Sequence, residues 1–156
     1  MSMHRRAALI SLVLITAALP RAAGAQTPSL AGTWKMDASR SRFFGAAGAP
    51  RSVVIRYERD GNLLRETLTV VNSSGTSTTR INYAFDGTQV VNVDQGEQIK
   101  SRLTREHDSL LLEWIDDGGI LSRRLTFSKD YRTMTIRVHD SDPNGEPDDL
   151  IVLRKQ

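Results

Sequence analysis

The chain contains no cysteine. That absence excludes a disulfide framework, a lipid-modified N-terminal cysteine, a thiol nucleophile and a thiolate metal site. Histidine is scarce, with three in the chain. Neither His107, in the turn Glu106-His107-Asp108, nor His139, at a strand end, has the paired spacing of a metal hydrolase or the strand-to-helix setting of an activated nucleophile. Helical periodicity is missing throughout, no internal repeat is visible, and beyond the first 25 residues no apolar run approaches the ~20 residues that span a bilayer.

Those first residues have the three-part build of a secretory signal: Arg5 and Arg6, an apolar run from Ala7 to Leu19, and the small cleavage site Ala23-Gly24-Ala25. The run is too short for a membrane anchor. We therefore read residues 1–25 as a signal peptide and 26–156 as one folded domain, exported to a periplasm or the outside medium. The Arg pair is compatible with twin-arginine as well as general export. The signal holds three of the 21 basic residues and no acid, so the mature domain carries 18 of each sign. The excess positive charge belongs to the signal, which removes the electrostatic case for a nucleic-acid partner.

What the domain does contain is short alternating runs separated by turn pairs, the pattern of an antiparallel meander. Strands are expected near 32–36, 52–58, 63–71, 77–85, 89–93, 98–105, 110–116, 119–127, 132–138 and 149–155. Asp60-Gly61, Ser74-Gly75, Asp86-Gly87, Gly118-Gly119 and Asn144-Gly145 provide the tight turns. Residues 38–50 have room for a turn of helix around Arg40 but not for a helical hairpin lid. In strand after strand one face is apolar and the other charged, as with Val53, Ile55 and Tyr57 against Arg56 and Glu58. A meander of eight to ten such strands eliminates its edges by closing into a single up-and-down β-barrel, all-β and antiparallel.

The opening of the domain, Gly32-Thr33-Trp34 continued through Ser39, Ser41 and Phe43, resembles the Gly-x-Trp start of lipocalins, and in particular the small secreted bacterial lipocalin-like proteins. The resemblance implies a ligand-holding barrel. It also implies that Gly32 and Trp34 form a closure device, with Trp34 packed at the closed end under a cation from near the C-terminus, here Arg154. The later Thr-Asp-Tyr motif of lipocalins is matched only by Asp130-Tyr131, which read as a turn and a strand start.

Alternation then nominates the lining of the cavity. With Leu64, Leu68 and Val70 inward, Glu66 is inward too; Leu121, Leu125 and Phe127 carry Arg123 inward, and Ile99 and Leu103 carry Ser101. Tyr57, Tyr83, Phe85 and Trp114 complete the wall. Arg123, oriented by Glu66, is placed to receive a ligand's carboxylate or other polar head; the alternative is that the two simply pair with each other. The expected ligand is a small hydrophobic molecule, lipid or fatty-acid-like. Two other readings stay open: an enzyme on the same barrel using Glu66 and Arg123, or a solid-core interaction module working through an outer face around Leu111 and Ile115. No catalytic residue, cofactor or metal site is assigned. Asp140 to Gly145 matches only the first half of a calcium loop, with Ile151 where the bidentate Glu belongs, so it reads as an acidic hairpin turn.

Overall fold

The computed structural model describes residues 29–45, 48–141 and 147–156. The signal segment, and residues 142–145 of the half-matched calcium loop, lie outside them. Ten strands follow one another: β1 (Gly32–Met36), β2 (Ser52–Asp60), β3 (Leu63–Asn72), β4 (Gly75–Ala84), β5 (Val90–Asp94), β6 (Glu97–Glu106), β7 (Ser109–Asp116), β8 (Gly119–Phe127), β9 (Thr133–Asp140) and β10 (Asp149–Lys155). They form one antiparallel sheet in the order β4-β3-β2-β1-β10-β9-β8-β7-β6-β5. The first strand thus sits between the second and the last, pairing Trp34 with Ile55 on one side and with Lys155 on the other.

Gly61, between β2 and β3, has φ +57° with open space around its α-carbon, a conformation glycine adopts at no steric cost. The connection from β1 to β2 runs as a hydrogen-bonded turn over Asp37 to Ser41 and an isolated bridge between Arg42 and Leu150. The turn around Arg40 stops short of a helix, because Ser41 instead donates its hydroxyl to the Asp37 carbonyl and receives the Val152 amide, tying the segment to β10.

The sheet curls into a barrel that closes everywhere except between β4 and β5, where no backbone ladder forms. Side chains bridge that seam. Asn92 Oδ1 accepts from the Asn82 amide at 2.8 Å, Asn92 Nδ2 donates to Ser101 Oγ at 3.0 Å, and Ser101 Oγ donates to the Asn82 carbonyl at 2.5 Å. Ser101 points inward as alternation requires, but it is occupied in the seam and is not a ligand group. Satisfying these buried polar atoms is what makes an unladdered edge tolerable.

Inward side chains divide the interior in two. Toward the end that holds Ser29 and Gln156, Trp34, Tyr57, Leu64, Leu103, Leu112, Leu125, Met134 and Leu153 are fully buried and fill the barrel. Burial on this scale, about 1.5–3 kcal/mol per large apolar side chain, is what holds a domain without disulfides. Trp34 donates its indole N–H to the Leu30 carbonyl at 2.9 Å and packs against Phe127.

The cation over Trp34 is Lys155 and not Arg154. Lys155 Nζ lies 5.3 Å from the indole centroid and donates to the Ser29 carbonyl. Arg154 pairs with Lys35 in the ladder, which turns it to the outer face, where its Nε donates to Asp37 at 3.0 Å. The physical reason is the period of two: Lys155, directly opposite Trp34, shares its face. At Gly32 φ is +126° and a β-carbon would meet Lys155 Cε at 3.0 Å.

Candidate functional site

Above the packed half, toward the end carrying the β1–β2 connection, the barrel is hollow. The cavity has a volume of ≈ 280 Å³ and is lined by Val53 and Ile55 of β2, Leu68 and Val70 of β3, Trp114, Leu121 and Arg123 on the far wall, and Ile136, Val138 and Ile151. Phe43, Gly48 and Pro50 of the β1–β2 connection close over its rim. Of the residues nominated from sequence, Leu68, Val70, Trp114, Leu121 and Arg123 border this space. Tyr57, Glu66 and Tyr83 lie beneath it, Leu103 is packed in the solid half, and Phe85 lines a different space at the opposite end.

Arg123 is the central group of a buried polar cluster. Its Nη1 and Nη2 donate to Glu66 Oε1 and Oε2 at 2.8 and 3.1 Å, and Nη2 also donates to Tyr83 Oη at 2.5 Å. The guanidinium lies 4.4 Å over the Trp114 ring, and the Trp114 indole N–H donates to the same Tyr83 hydroxyl. Local sequence explains each position. In β3 the run Leu64, Glu66, Leu68 and in β8 the run Leu121, Arg123, Leu125 carry their one charge inward among leucines. β4 and β7 bring Tyr83 and Trp114 alongside.

Electrostatics follow from that packing. Burial is the largest single influence on Arg123 and lowers its pKa, but the facing Glu66 carboxylate and the neighbouring Tyr83 and Tyr57 together outweigh it and hold the guanidinium firmly charged. Burial pushes both phenols up, Tyr57 with the added repulsion of Glu66, so both remain neutral donors at any physiological pH. The cluster therefore contains one positive and one negative charge. Two of its donors, Arg123 Nε and Tyr57 Oη, are buried with no hydrogen-bond partner among the described residues, a rare condition in a folded interior.

Sequence reasoning missed Asn82 and Asn92. Their strands read Ile81-Asn82-Tyr83 and Val91-Asn92-Val93, and in the second the apolar residues are the exposed ones. Leu111 and Ile115 are half-buried rather than exposed on the outer face. His139 points outward and hydrogen-bonds Asp148 through Nδ1 at 2.7 Å. Among the described residues no cluster of three or more His, Asp or Glu side chains suits a metal ion, and no helix is long and apolar enough to cross a membrane.

No protein-family model matches the sequence, and no curated protein sequence does. Solved structures do match. A secretary abundant heat soluble protein from Ramazzottius varieornatus superposes with a TM-score of 0.64 at 13% identity, over 82% of this chain and 96% of that one. The fluorescent protein UnaG gives 0.60 at 15% identity over 81% and 97%. Fatty-acid-binding protein 1 of Echinococcus granulosus gives 0.57 at 13% identity over 81% and 96%. The chain has the fold of the fatty-acid-binding-protein-like barrels. At these identities the likeness concerns the fold.

Proposed function

We propose that the mature chain is an exported binding protein, a small secreted bacterial lipocalin-like barrel, that holds one small, largely apolar and uncharged molecule in the cavity above Arg123. The observation that carries this reading is the apolar space of ≈ 280 Å³ ending on a charge-balanced polar cluster. Its volume equals roughly nine waters at ~30 Å³ each, just below the ~300–1,000 Å³ of common small-molecule sites. A ligand of about that many heavy atoms fits without moving a wall.

The charge balance sets the ligand's chemistry. Arg123 is already neutralised by Glu66, so a ligand carboxylate would bring a second, uncompensated negative charge into the barrel. A carbonyl, ether or hydroxyl oxygen would instead satisfy a donor that has no partner. A neutral ligand is therefore favoured over the fatty acid that one similar barrel is named for. Both oxygens of Glu66 accept from Arg123, an arrangement that supports anchoring over proton transfer.

The test is native mass spectrometry of the exported protein purified without detergent, followed by titration of neutral and acidic candidates against Trp114 fluorescence. A neutral molecule released from the native protein, and lost in Leu68→Trp, is the expected result. A persistently empty protein that no candidate stabilises against heat, or one that prefers fatty acids to their methyl esters, would count against it.

A further inference from the structure

The other end of the barrel carries a larger space. Beyond the Trp34 closure, the turns β2–β3, β4–β5, β6–β7 and β8–β9 and the segment 29–31 surround a partly open cleft of ≈ 520 Å³. Its floor is Leu64 and Leu110, and three aromatic rings, Phe85, Phe127 and Tyr131, stand in its walls. Its fixed charges are Arg59, Arg105 and Lys129 against Asp108 alone, with His107 beside them. Among the described residues neither Arg105 nor Lys129 is in an ion pair. Arg59 lies flat on Phe85, 5.0 Å from the ring centroid, and donates to the Gly61 carbonyl, so its cation is already oriented.

Two further facts distinguish this cleft from an accidental gap between turns. His107 and Tyr131, both lining it, have φ of +45° and +53°. This left-handed region is uncommon for side chains with a β-carbon and an outlier for a bulky one. Tyr131 is held there by a ring of hydrogen bonds in its own turn: Ser128 Oγ and the Arg132 amide both donate to Asp130. The Tyr131 ring in turn packs against Phe127, 6.3 Å between centroids, which packs against Trp34. Aromatic faces fixed from below and cations free at the rim are the two halves of a site for an anion with a flat apolar body.

We propose that this cleft is a second binding site, separate from the barrel cavity, for an aromatic amphiphile bearing one oxyanion head. The carboxylate, sulfate or phosphate meets Arg105 and Lys129, with Arg59 alongside, and the body lies on Phe127 and Tyr131. The two ends of the barrel then have opposite preferences, neutral ligands inside and anionic ones at the sealed end, because the inner Arg has a built-in carboxylate and the outer cations do not.

The experiment uses the mature chain, with the fluorescence of 8-anilinonaphthalene-1-sulfonate itself as the readout. The neutral analogue N-phenyl-1-naphthylamine, the same aromatic body without the sulfonate, serves as control. The sulfonate is expected to bind, to weaken with added salt, and to lose at least tenfold in affinity in Arg105→Ala/Lys129→Ala, two exposed positions whose replacement leaves the core intact. Its binding is expected to be unchanged in Leu68→Trp, which fills the cavity. Flotation with phosphatidylglycerol and phosphatidylcholine vesicles identifies the source of the head: capture by the former alone, abolished by the same double substitution, places it on a lipid. Binding of the free probe without capture places it on a soluble ligand. The proposal is overturned if the double variant binds the sulfonate as well as the parent does, if Leu68→Trp removes that binding, or if the parent binds neither probe nor vesicle.

Discussion

Glu66 and Arg123 stand 57 positions apart in the chain and meet inside the barrel through two parallel hydrogen bonds, with both side chains almost completely removed from water. A bidentate pair of this kind fixes β3 and β8 across the interior as well as the polarity of the cavity above it. Removing one partner leaves the other as an unpaired buried charge. Glu66→Leu or Arg123→Met alone should therefore destabilise the fold by about 3–5 kcal/mol, whereas Glu66→Leu/Arg123→Met together should recover most of that loss. Urea denaturation of the two single variants and the double completes the cycle; additive losses would mean that the pair is not coupled.

The closure at the other end depends on a cation that comes from the neighbouring position to the one expected. Lys155→Ala removes a contact with Trp34 and a hydrogen bond to Ser29, and should cost about 1 kcal/mol. Arg154→Ala removes only an exposed ion pair with Asp37 and should leave stability almost unchanged. Comparing the denaturation midpoints of the two variants decides the assignment.

The seam between β4 and β5 rests on Asn92. Asn92→Leu would leave the Asn82 amide without its acceptor and take away the bond that Ser101 Oγ accepts, at a cost of about 1–3 kcal/mol. Hydrogen exchange offers a sharper readout than global stability: the Asn82 amide, protected by Asn92 Oδ1, should exchange faster in the variant while amides of β9 and β10 keep their rates.

Three turn aspartates link stability to pH. Asp37 is lowered chiefly by the Ser39 hydroxyl, Asp86 by the Thr88 amide and Asp130 by the Ser128 hydroxyl. A carboxyl whose folded pKa lies below its unfolded value of ~3.9 stabilises the fold above that value, and the contribution fades as pH falls through the folded pKa. Stability should accordingly decline below about pH 4. Replacing the three by Asn should flatten this acid limb in a series of urea midpoints taken at different pH, and an unchanged limb would assign it to other groups.

Much of this architecture was legible in the sequence because most strands have one wet face. Alternation around Glu66 and Arg123 points inward: each is one charge among leucines at i ± 2, so placing the leucines inside places the charge there as well unless a bulge reverses the face. What alternation could not supply was register at a strand end. Arg154 and Lys155 are both cations, and only the pairing of Trp34 with Lys155 across the β1–β10 ladder selects one. β5 misleads for a different reason. Val91 and Val93 are more than half exposed while Asn92 is buried, because the strand borders an unladdered seam whose hydrogen-bond demand outweighs the burial of two valines. Arg105, Lys129 and Tyr131 gave no local sign of their cleft, since they come from different turns that are brought together only by barrel closure.

The position of β1 between β2 and β10 has a kinetic side. The spatial order of the strands is that of an uninterrupted meander read from β5 through β10 and then on from β1 to β4, and the Gln156 amide reaches the Thr33 carbonyl at 3.0 Å. Native folding must therefore close its longest loop to join the two ends of the chain. The β4–β5 turn, by contrast, connects strands that share no backbone ladder. A circular permutant that starts near Thr88, with Gln156 joined by a short linker to Ser29, would make every laddered pair sequential. Its contact order falls, and with it the loop-closure entropy of the folding barrier, so such a permutant should reach the same barrel faster than the natural chain.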